Sequence, residues 1–177
     1  MWWYKNRMYH VRICCRRANF ALCLASAALA CACGFQLRGQ TTLPFQTLYV
    51  QGASPMLVEL KRHVAAGSQT KLVAQAAGAE AVLAVNLEAR EKVILSLDTS
   101  GRVREYQLRY RVGFFVHDAK GQNWIPASEI ALTRDISFND AQIIAKENEE
   151  ALLYRDMQTD MVQQIVRRLA RAQRSGG

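Results

Sequence analysis

The sequence predicts an α+β fold, a two-layer sandwich of about four mostly antiparallel strands with two helices on one face, in the order β-α-β-β-β-α. Two observations support this prediction. Apolar and polar residues alternate with period two from Ala81 to Phe138, interrupted by short turn sequences, which is typical of antiparallel strands. Segments with apolar residues at helical spacing lie on both sides of that region. We therefore expect the helices to cover one side of the sheet.

The first strand and the first helix are predicted within residues 45–67. A strand over residues 45–51 is followed by Ser54 at a helix N-cap and Pro55 at the first helical position, and both residue types favour a helix start there. The helix is predicted to end at Gly67. The side chains expected to face the sheet are Leu57, Leu60 and Val64.

The next two strands form a predicted hairpin around the turn sequence DTSGR. A two-residue turn at Ser100 and Gly101 pairs Leu95 with Tyr106 and so brings the apolar faces of both strands together. A four-residue loop with the same register stays open as an alternative. A three-residue loop would set apolar residues opposite polar ones, so the alternation disfavours it.

This register also predicts a face that carries four cations. Lys92 would lie opposite Arg109 and Arg90 opposite Arg111, and directly opposed like charges destabilise a strand pair. Two explanations remain open. The long side chains extend into water beside nearby glutamates, or the face binds an anion such as a lipid phosphate or the acidic residues of a partner.

A third strand over residues 129–138 and a long helix complete the predicted domain, which spans residues 45–174 and leaves 175–177 as a flexible tail. The helix is expected to start at an N-cap on Asn139 or Asp140. Arginines near its end suit the negative end of the helix dipole, which indicates a helix C-terminus rather than a nucleic-acid surface. The stripe expected to pack on the sheet is Leu153, Met157, Met161, Ile165 and Leu169.

The first 32 residues have the layout of a secretory signal peptide. The chain has a net charge of +8, but this segment holds five of the 23 basic residues and none of the 15 acidic ones, which leaves +3 for the rest. A basic stretch up to Arg17 is followed by an apolar stretch over residues 18–32, shorter than the roughly 20 residues of a spanning helix. Met8 is an alternative start to Met1. The basicity of the chain therefore belongs largely to its leader.

The cysteines indicate a lipid anchor. All five precede Gly34, so the domain cannot form an internal disulfide. Cys33 is either an incidental leader residue or the attachment site of a bacterial lipoprotein, with cleavage between Ala32 and Cys33. In the second case Cys33 carries a diacylglycerol and an N-acyl chain, such as palmitate, at the start of a tether over residues 33–44. Three acyl chains hold a protein firmly on a membrane, and Gly34 in place of aspartate favours the outer membrane.

No motif predicts an enzyme, a metal site or a further cofactor. His63 on the first helix and His117 at a strand end are the histidines outside the leader, and neither has a metal-ligand partner at suitable spacing. Glu149 and Glu150 are adjacent on a helix and point about 100° apart, unlike a catalytic carboxylate pair. We therefore expect a non-enzymatic protein that binds no nucleic acid.

Three short motifs resemble the LptE family of lipopolysaccharide-assembly lipoproteins of Gram-negative bacteria. They are Cys33 to Gly39 (CGFQLRG), Glu105 to Gln107 (EYQ) and Ala145 to Glu149 (AKENE). The resemblance implies an outer-membrane lipoprotein that plugs the lumen of the LptD β-barrel, helps to assemble that barrel and assists lipopolysaccharide transport to the cell surface. The alternative is a periplasmic structural or pilotin-like lipoprotein of another envelope machine.

The resemblance also implies lipopolysaccharide contacts. Lys146 matches a basic position of the family in the AKENE segment. At the hairpin, Thr99 stands where some relatives have a basic residue, so Arg102 or Arg104 would substitute. The cations of the predicted strand face, Arg90, Lys92, Arg109 and Arg111, are further candidates.

Overall fold

The computed structural model describes residues 41–139 and 142–173. The predicted signal peptide, Ala32, Cys33, most of the tether and the tail over residues 175–177 lie outside these residues. Within the described ranges, no helix is long and apolar enough to cross a membrane.

The described domain contains two helices and one five-stranded sheet, which confirms the α+β prediction. The sheet order is β2-β1-β3-β4-β5, with β1 parallel to both of its neighbours and the other pairs antiparallel. The elements are β1 (Thr47–Val50), α1 (Pro55–Gly67), β2 (Lys71–Leu72), β3 (Ala81–Leu97), β4 (Val103–His117), β5 (Asn123–Ser137) and α2 (Ile143–Ala170). The expectation of about four strands omitted β2, whose two residues are too few to show a period.

The first helix forms as predicted. The Ser54 hydroxyl accepts a hydrogen bond from the Leu57 N–H at 3.4 Å, Pro55 is the first helical residue and Gly67 is the last. Leu60 and Val64 are buried with Leu57 in the main core. The local capping signals therefore decided both ends of this helix.

The long helix starts later than predicted. Gln142 is its N-cap and Ile143 its first residue, so an N-cap at Asn139 or Asp140 is wrong. The predicted stripe is confirmed from Met157 onward, where its side chains are fully buried, and Leu153 is half-buried. None of the residues 143–156 is buried, so only the second half of α2 lies on the apolar core.

The domain accordingly has two halves. In the proximal half, α1 and residues 157–170 of α2 pack on the sheet around Leu48, Leu83 and Phe114. The distal half comprises residues 87–97 of β3, 103–111 of β4, 129–137 of β5 and 143–156 of α2. Here the core continues on the sheet alone, through Leu108, Tyr110, Ile130 and Ile136. β5 begins at Asn123, six residues before the strand start predicted at residue 129, and these additional residues lengthen the sheet.

The register of the β3–β4 hairpin differs from the prediction. Asn86 is an extra residue in β3 between the pairs Val85–Phe114 and Leu87–Gly113, and a second irregularity follows Ile94. Each β-bulge moves the following side chains to the opposite face. Ile94, rather than the predicted Leu95, therefore pairs with Tyr106.

The hairpin loop has three residues, not two. The Asp98 N–H donates to the Arg102 carbonyl at 2.7 Å, so Thr99, Ser100 and Gly101 form the loop. Gly101 has φ +81°, a backbone conformation that glycine adopts without strain. The predicted two-residue turn is wrong. The three-residue loop sets Arg90 and Lys92 opposite apolar residues of β4, and apolar residues face each other again only beyond the bulge, as in the pair Val85–Phe114.

Candidate functional site

The bulge at Asn86 separates the four cations that the sequence placed on one face. Arg90 pairs with Tyr110 and Lys92 with Leu108, so both basic side chains lie on the helix-covered face. Arg109 and Arg111 lie on the opposite, open face. The predicted face of four cations is therefore wrong.

On the open face the charges neutralise each other across the strands. The Arg111 Nε lies 2.7 Å from Glu129 Oε1, and its Nη1 lies 3.6 Å from Glu91 Oε1. The hydrogen bond to Glu129 raises the pKa of Arg111, and the same bond lowers the pKa of Glu129. Arg109 donates to the Gln107 side chain at 2.8 Å.

The open face of the distal half carries more acidic than basic side chains. Its acidic residues are Glu91, Glu105, Glu129 and Asp135, and its basic residues are Arg109 and Arg111. A surface with this balance does not concentrate anions. It is therefore a poor site for lipid phosphate.

The helix-covered face of the distal half holds Arg90 and Lys92 against aromatic rings. The guanidinium of Arg90 lies 5.0 Å from the Tyr110 ring centre and 5.5 Å from that of Tyr154. The Lys92 ammonium lies 4.4 Å from the Tyr106 ring centre. These distances are in the range of cation–π attraction, which strengthens when the groups are shielded from water.

A hydrogen-bond network ties these residues to the distal half of α2. The Lys92 ammonium contacts Glu150 at 2.6 Å, and Arg90 donates to the Gln158 side chain at 2.8 Å. The Tyr154 hydroxyl donates to the Glu91 carbonyl at 2.8 Å. Burial, followed by the nearby charge of Glu150, raises the pKa of Tyr154. Polar contacts thus hold α2 on this part of the sheet.

Lys146 belongs to the same region. Its ammonium donates to Ser137 Oγ at 3.1 Å and to Glu149 Oε2 at 2.8 Å, and its side chain is only 16% exposed. The ring of Phe138, next to Ser137 in the chain, lies 6.0 Å from the Lys92 ammonium. We call Lys92, Lys146, Glu149 and Glu150 the lysine cluster.

The two hairpin arginines remain in solvent. Arg102 contacts Asp98 at 3.1 Å but its side chain is 69% exposed. The exposed Arg104 side chain makes no hydrogen bond or ion pair within the described ranges. Thr99 is exposed in the same loop. The structure therefore separates the seven candidate cations into four places. They are the lysine cluster with Lys92 and Lys146, the tip arginines Arg102 and Arg104, the open face with Arg109 and Arg111, and the site of Arg90 between two tyrosines.

The carboxylates of the lysine cluster were not predicted as functional residues. A signal for one of them exists in the sequence, because Glu150, Tyr154 and Gln158 recur every four residues and so form one polar face of the helix. This polar face begins at Glu150, before Met157, which is the first buried residue of the apolar stripe. Among the described residues, no group of three or more His, Cys, Asp or Glu side chains is placed to hold a metal ion.

The lysine cluster pairs two ammonium groups with two carboxylates, an arrangement that can bind an anion. An ammonium ion attracts phosphate strongly when both are partly shielded from water. The Lys92 ammonium now pairs with Glu150 and the Lys146 ammonium with Glu149. A bound phosphate would replace these carboxylates. Exchange of one anion for another is the chemistry that this arrangement supports.

Comparison with known proteins identifies a family and several structures of similar fold. The family model of LptE, described as lipopolysaccharide-assembly, matches residues 45–169. The solution structure of an uncharacterized lipoprotein B from Nitrosomonas europaea is 44% identical, covers 76% of this chain and 88% of its own, and has a TM-score of 0.66. A search of curated proteins gave no significant match.

Two crystal structures share the fold at lower identity. Rare lipoprotein B from Shewanella oneidensis is 24% identical, with 70% of this chain and 93% of that chain covered and a TM-score of 0.61. A minor lipoprotein from Acinetobacter baumannii is 21% identical, with 76% and 99% covered and a TM-score of 0.62. These two structures show the same fold. The family match over residues 45–169 covers most of the chain, and the chain therefore belongs to the LptE family of lipopolysaccharide-assembly lipoproteins.

Proposed function

We propose that this lipoprotein is anchored to the outer membrane through acylated Cys33, plugs and helps to assemble the LptD β-barrel, and assists lipopolysaccharide transport to the outer leaflet. The observation that carries the proposal is the family match over residues 45–169. Without a catalytic role, such a protein acts by binding its partners and by holding their geometry.

The distal half supports the barrel part of the proposal. Val93, Ile94, Leu95 and Leu97 are 36%, 55%, 47% and 54% exposed, and all lie at the hairpin end. Exposed aliphatic side chains concentrated at one end of a folded domain usually mark a region that another molecule covers. The open face beside them is polar and internally paired, which suits contact with the polar lumen of a barrel.

The lysine cluster and the tip arginines support the lipopolysaccharide part. Lys92 and Lys146 are partly shielded from water, so a phosphate bound there gains more than at a free surface lysine. Arg102 and Arg104 would add charge at the exposed loop, while Arg90 is held between two tyrosines. Arg109 and Arg111 become the weakest candidates, because they lie on the acidic open face.

Purification of the lipidated full-length chain from its native outer membrane in mild detergent tests this function. We expect a large β-barrel protein to co-purify in stoichiometric amount, with lipopolysaccharide retained in the complex. Recovery of the lipoprotein alone would contradict the barrel role and favour a periplasmic structural or pilotin-like role.

Paired variants test the lipopolysaccharide site in the same preparation. The change Lys92→Ala with Lys146→Ala should lower retained lipopolysaccharide by about tenfold, which corresponds to ~1.4 kcal/mol, while the barrel still co-purifies. Arg109→Ala with Arg111→Ala is the matched control, since it removes two cations from the open face. An equal loss in both variants would contradict the assignment to the lysine cluster.

A further inference from the structure

The outer edge of β3 is unpaired over most of its length. β1 pairs with β3 at Ala81, Val82 and Leu83, and Gln51 N–H adds one bond to the Leu83 carbonyl. From Leu87 to Leu97 the backbone is bonded to β4 alone within the described ranges, apart from the Tyr154 hydroxyl on the Glu91 carbonyl. Alternate residues of an antiparallel strand direct their N–H and C=O groups away from the partner strand. This edge therefore presents a row of free backbone groups.

Charged side chains usually protect such an edge from other strands, but here they are bonded to their own domain. Glu88 accepts a hydrogen bond from the Tyr110 hydroxyl at 2.7 Å, and Lys92 contacts Glu150 at 2.6 Å. Arg90 bonds to Gln158, and Glu91 lies 3.6 Å from Arg111. The residues that follow along this edge are Val93, Ile94 and Leu95. Aliphatic and β-branched residues favour strand pairing.

The other edge of the sheet is different. On β5, Arg134 Nη1 donates to the Thr133 carbonyl at 2.9 Å, and Arg168 Nη2 donates to the Glu129 carbonyl at 3.2 Å. Pro126, in the same strand, has no N–H to donate. The domain thus blocks strand addition at β5 and leaves it possible at β3.

We propose that residues 87–97 of β3 pair with an extended segment of the barrel partner, which adds a strand to this sheet. The inference rests on the proposed function and names the surface through which the barrel is held. Backbone hydrogen bonds supply the attachment, and Val93 and Ile94, which project on opposite faces, require aliphatic or small neighbours in the added strand.

A lipid acyl chain fits this edge poorly, because it would bury backbone groups without hydrogen bonds. A second copy of the chain also fits poorly. In an antiparallel pair of two copies centred on Leu95, the aliphatic stretch is limited to residues 93–97. A register centred on Lys92 covers residues 87–97 but places Glu91 against Val93, a charged residue against an aliphatic one.

Photo-cross-linking of the full-length lipidated chain in native membranes tests this pairing. A benzophenone amino acid replaces Leu95 in one variant and Val58, an exposed aliphatic residue of α1 in the proximal half, in the control. We expect an adduct between position 95 and the barrel, mapped by mass spectrometry to one short segment, and none from position 58. Adducts from position 95 with lipid or a second copy alone, or no adduct although the barrel co-purifies, would overturn the edge assignment and leave the proposed function intact.

A pair of charge-insertion variants provides the second readout. Val93→Lys with Leu95→Lys should reduce barrel recovery by about tenfold. Val58→Lys, at an exposed aliphatic residue of α1 in the proximal half, should not change it. Circular dichroism checks that both variants fold. If the first does not fold, the cross-linking result decides. If the unmodified chain recovers no barrel, the proposed function and this inference both fail.

Discussion

At the scale of single residues, Asp98 shows how one side chain can organise a hairpin end. Its carboxylate accepts hydrogen bonds from the Ser100 N–H and hydroxyl, both at 2.8 Å, and from the Arg102 N–H at 2.9 Å. The bond from the Arg102 backbone is the largest of the causes that hold the pKa of Asp98 well below its ordinary value. The ionised carboxylate therefore stabilises the loop that carries Arg102 and Thr99.

This pKa predicts acid sensitivity at the hairpin tip. Because the folded-state pKa is lowered, the stabilising contribution is fully present above the ordinary aspartate pKa of about 3.9 and is lost as pH falls through the folded value. We expect the amide signals of Ser100 and Arg102 in an NMR titration to change with a midpoint well below 3.9. Asp98→Asn should remove that transition, and a midpoint at the ordinary value would contradict the bonding described for Asp98.

At the scale of elements, the bulge at Asn86 determines which face each later residue of β3 occupies. Gly113 lies across from it in β4, and a Cβ at this position would lie 2.5 Å from Asn86 Oδ1 and 3.1 Å from Leu87 Cβ. A side chain there would therefore push against the bulge. Because Gly113 has no side chain, β3 and β4 can approach each other closely at the bulge.

We expect Gly113→Ala to lower the free energy of unfolding by about 1–3 kcal/mol, the usual cost of forcing extra atoms into a packed site. Urea denaturation would measure it. Gly67→Ala is the control, because no atom lies within 4 Å of the added Cβ. Equal effects of the two changes would show that Gly113 does not support the bulge.

The same bulge marks the limit of prediction from the sequence. Hydrophobic periodicity predicted α1, the apolar side of β4 and the buried stripe of α2, because each depends on spacing within one element. The register of β3 depends on Asn86, an inserted residue that does not interrupt the alternation of apolar and polar residue types. The alternation alone therefore placed the four cations on one face. Gly113, a lone glycine within a strand pattern, was the one local signal of the bulge.

At the scale of the whole domain, the two halves are held together differently. The proximal half has a continuous apolar core, whereas the distal part of α2 is attached through Lys146, Glu150 and Tyr154. Ion pairs near a surface contribute little stability, about 0–1 kcal/mol each. The distal part of α2 should therefore open without unfolding of the domain.

Amide hydrogen exchange should resolve this difference. We expect residues 143–154 of α2 to exchange at least about tenfold faster than residues 157–169, and the hairpin end to exchange faster than Ala81 to Leu83. Mass spectrometry of overlapping peptides would measure both comparisons. Uniform protection along α2 would contradict a locally opening distal segment.

The two hairpin loops of the sheet are built alike. The Asp118 carboxylate accepts hydrogen bonds from the Lys120 N–H at 2.8 Å and the Gln122 N–H at 2.9 Å, and Gly121 has φ +79°. Asp98 and Gly101 have the corresponding roles in the other loop. Since the loops are equivalent, the reach of the domain depends on the 15 residues of β4 between them, about 50 Å of extended chain. Because side chains alternate with period two, residues added to or removed from both strands of a hairpin in pairs would change this reach and keep every side chain on its own face.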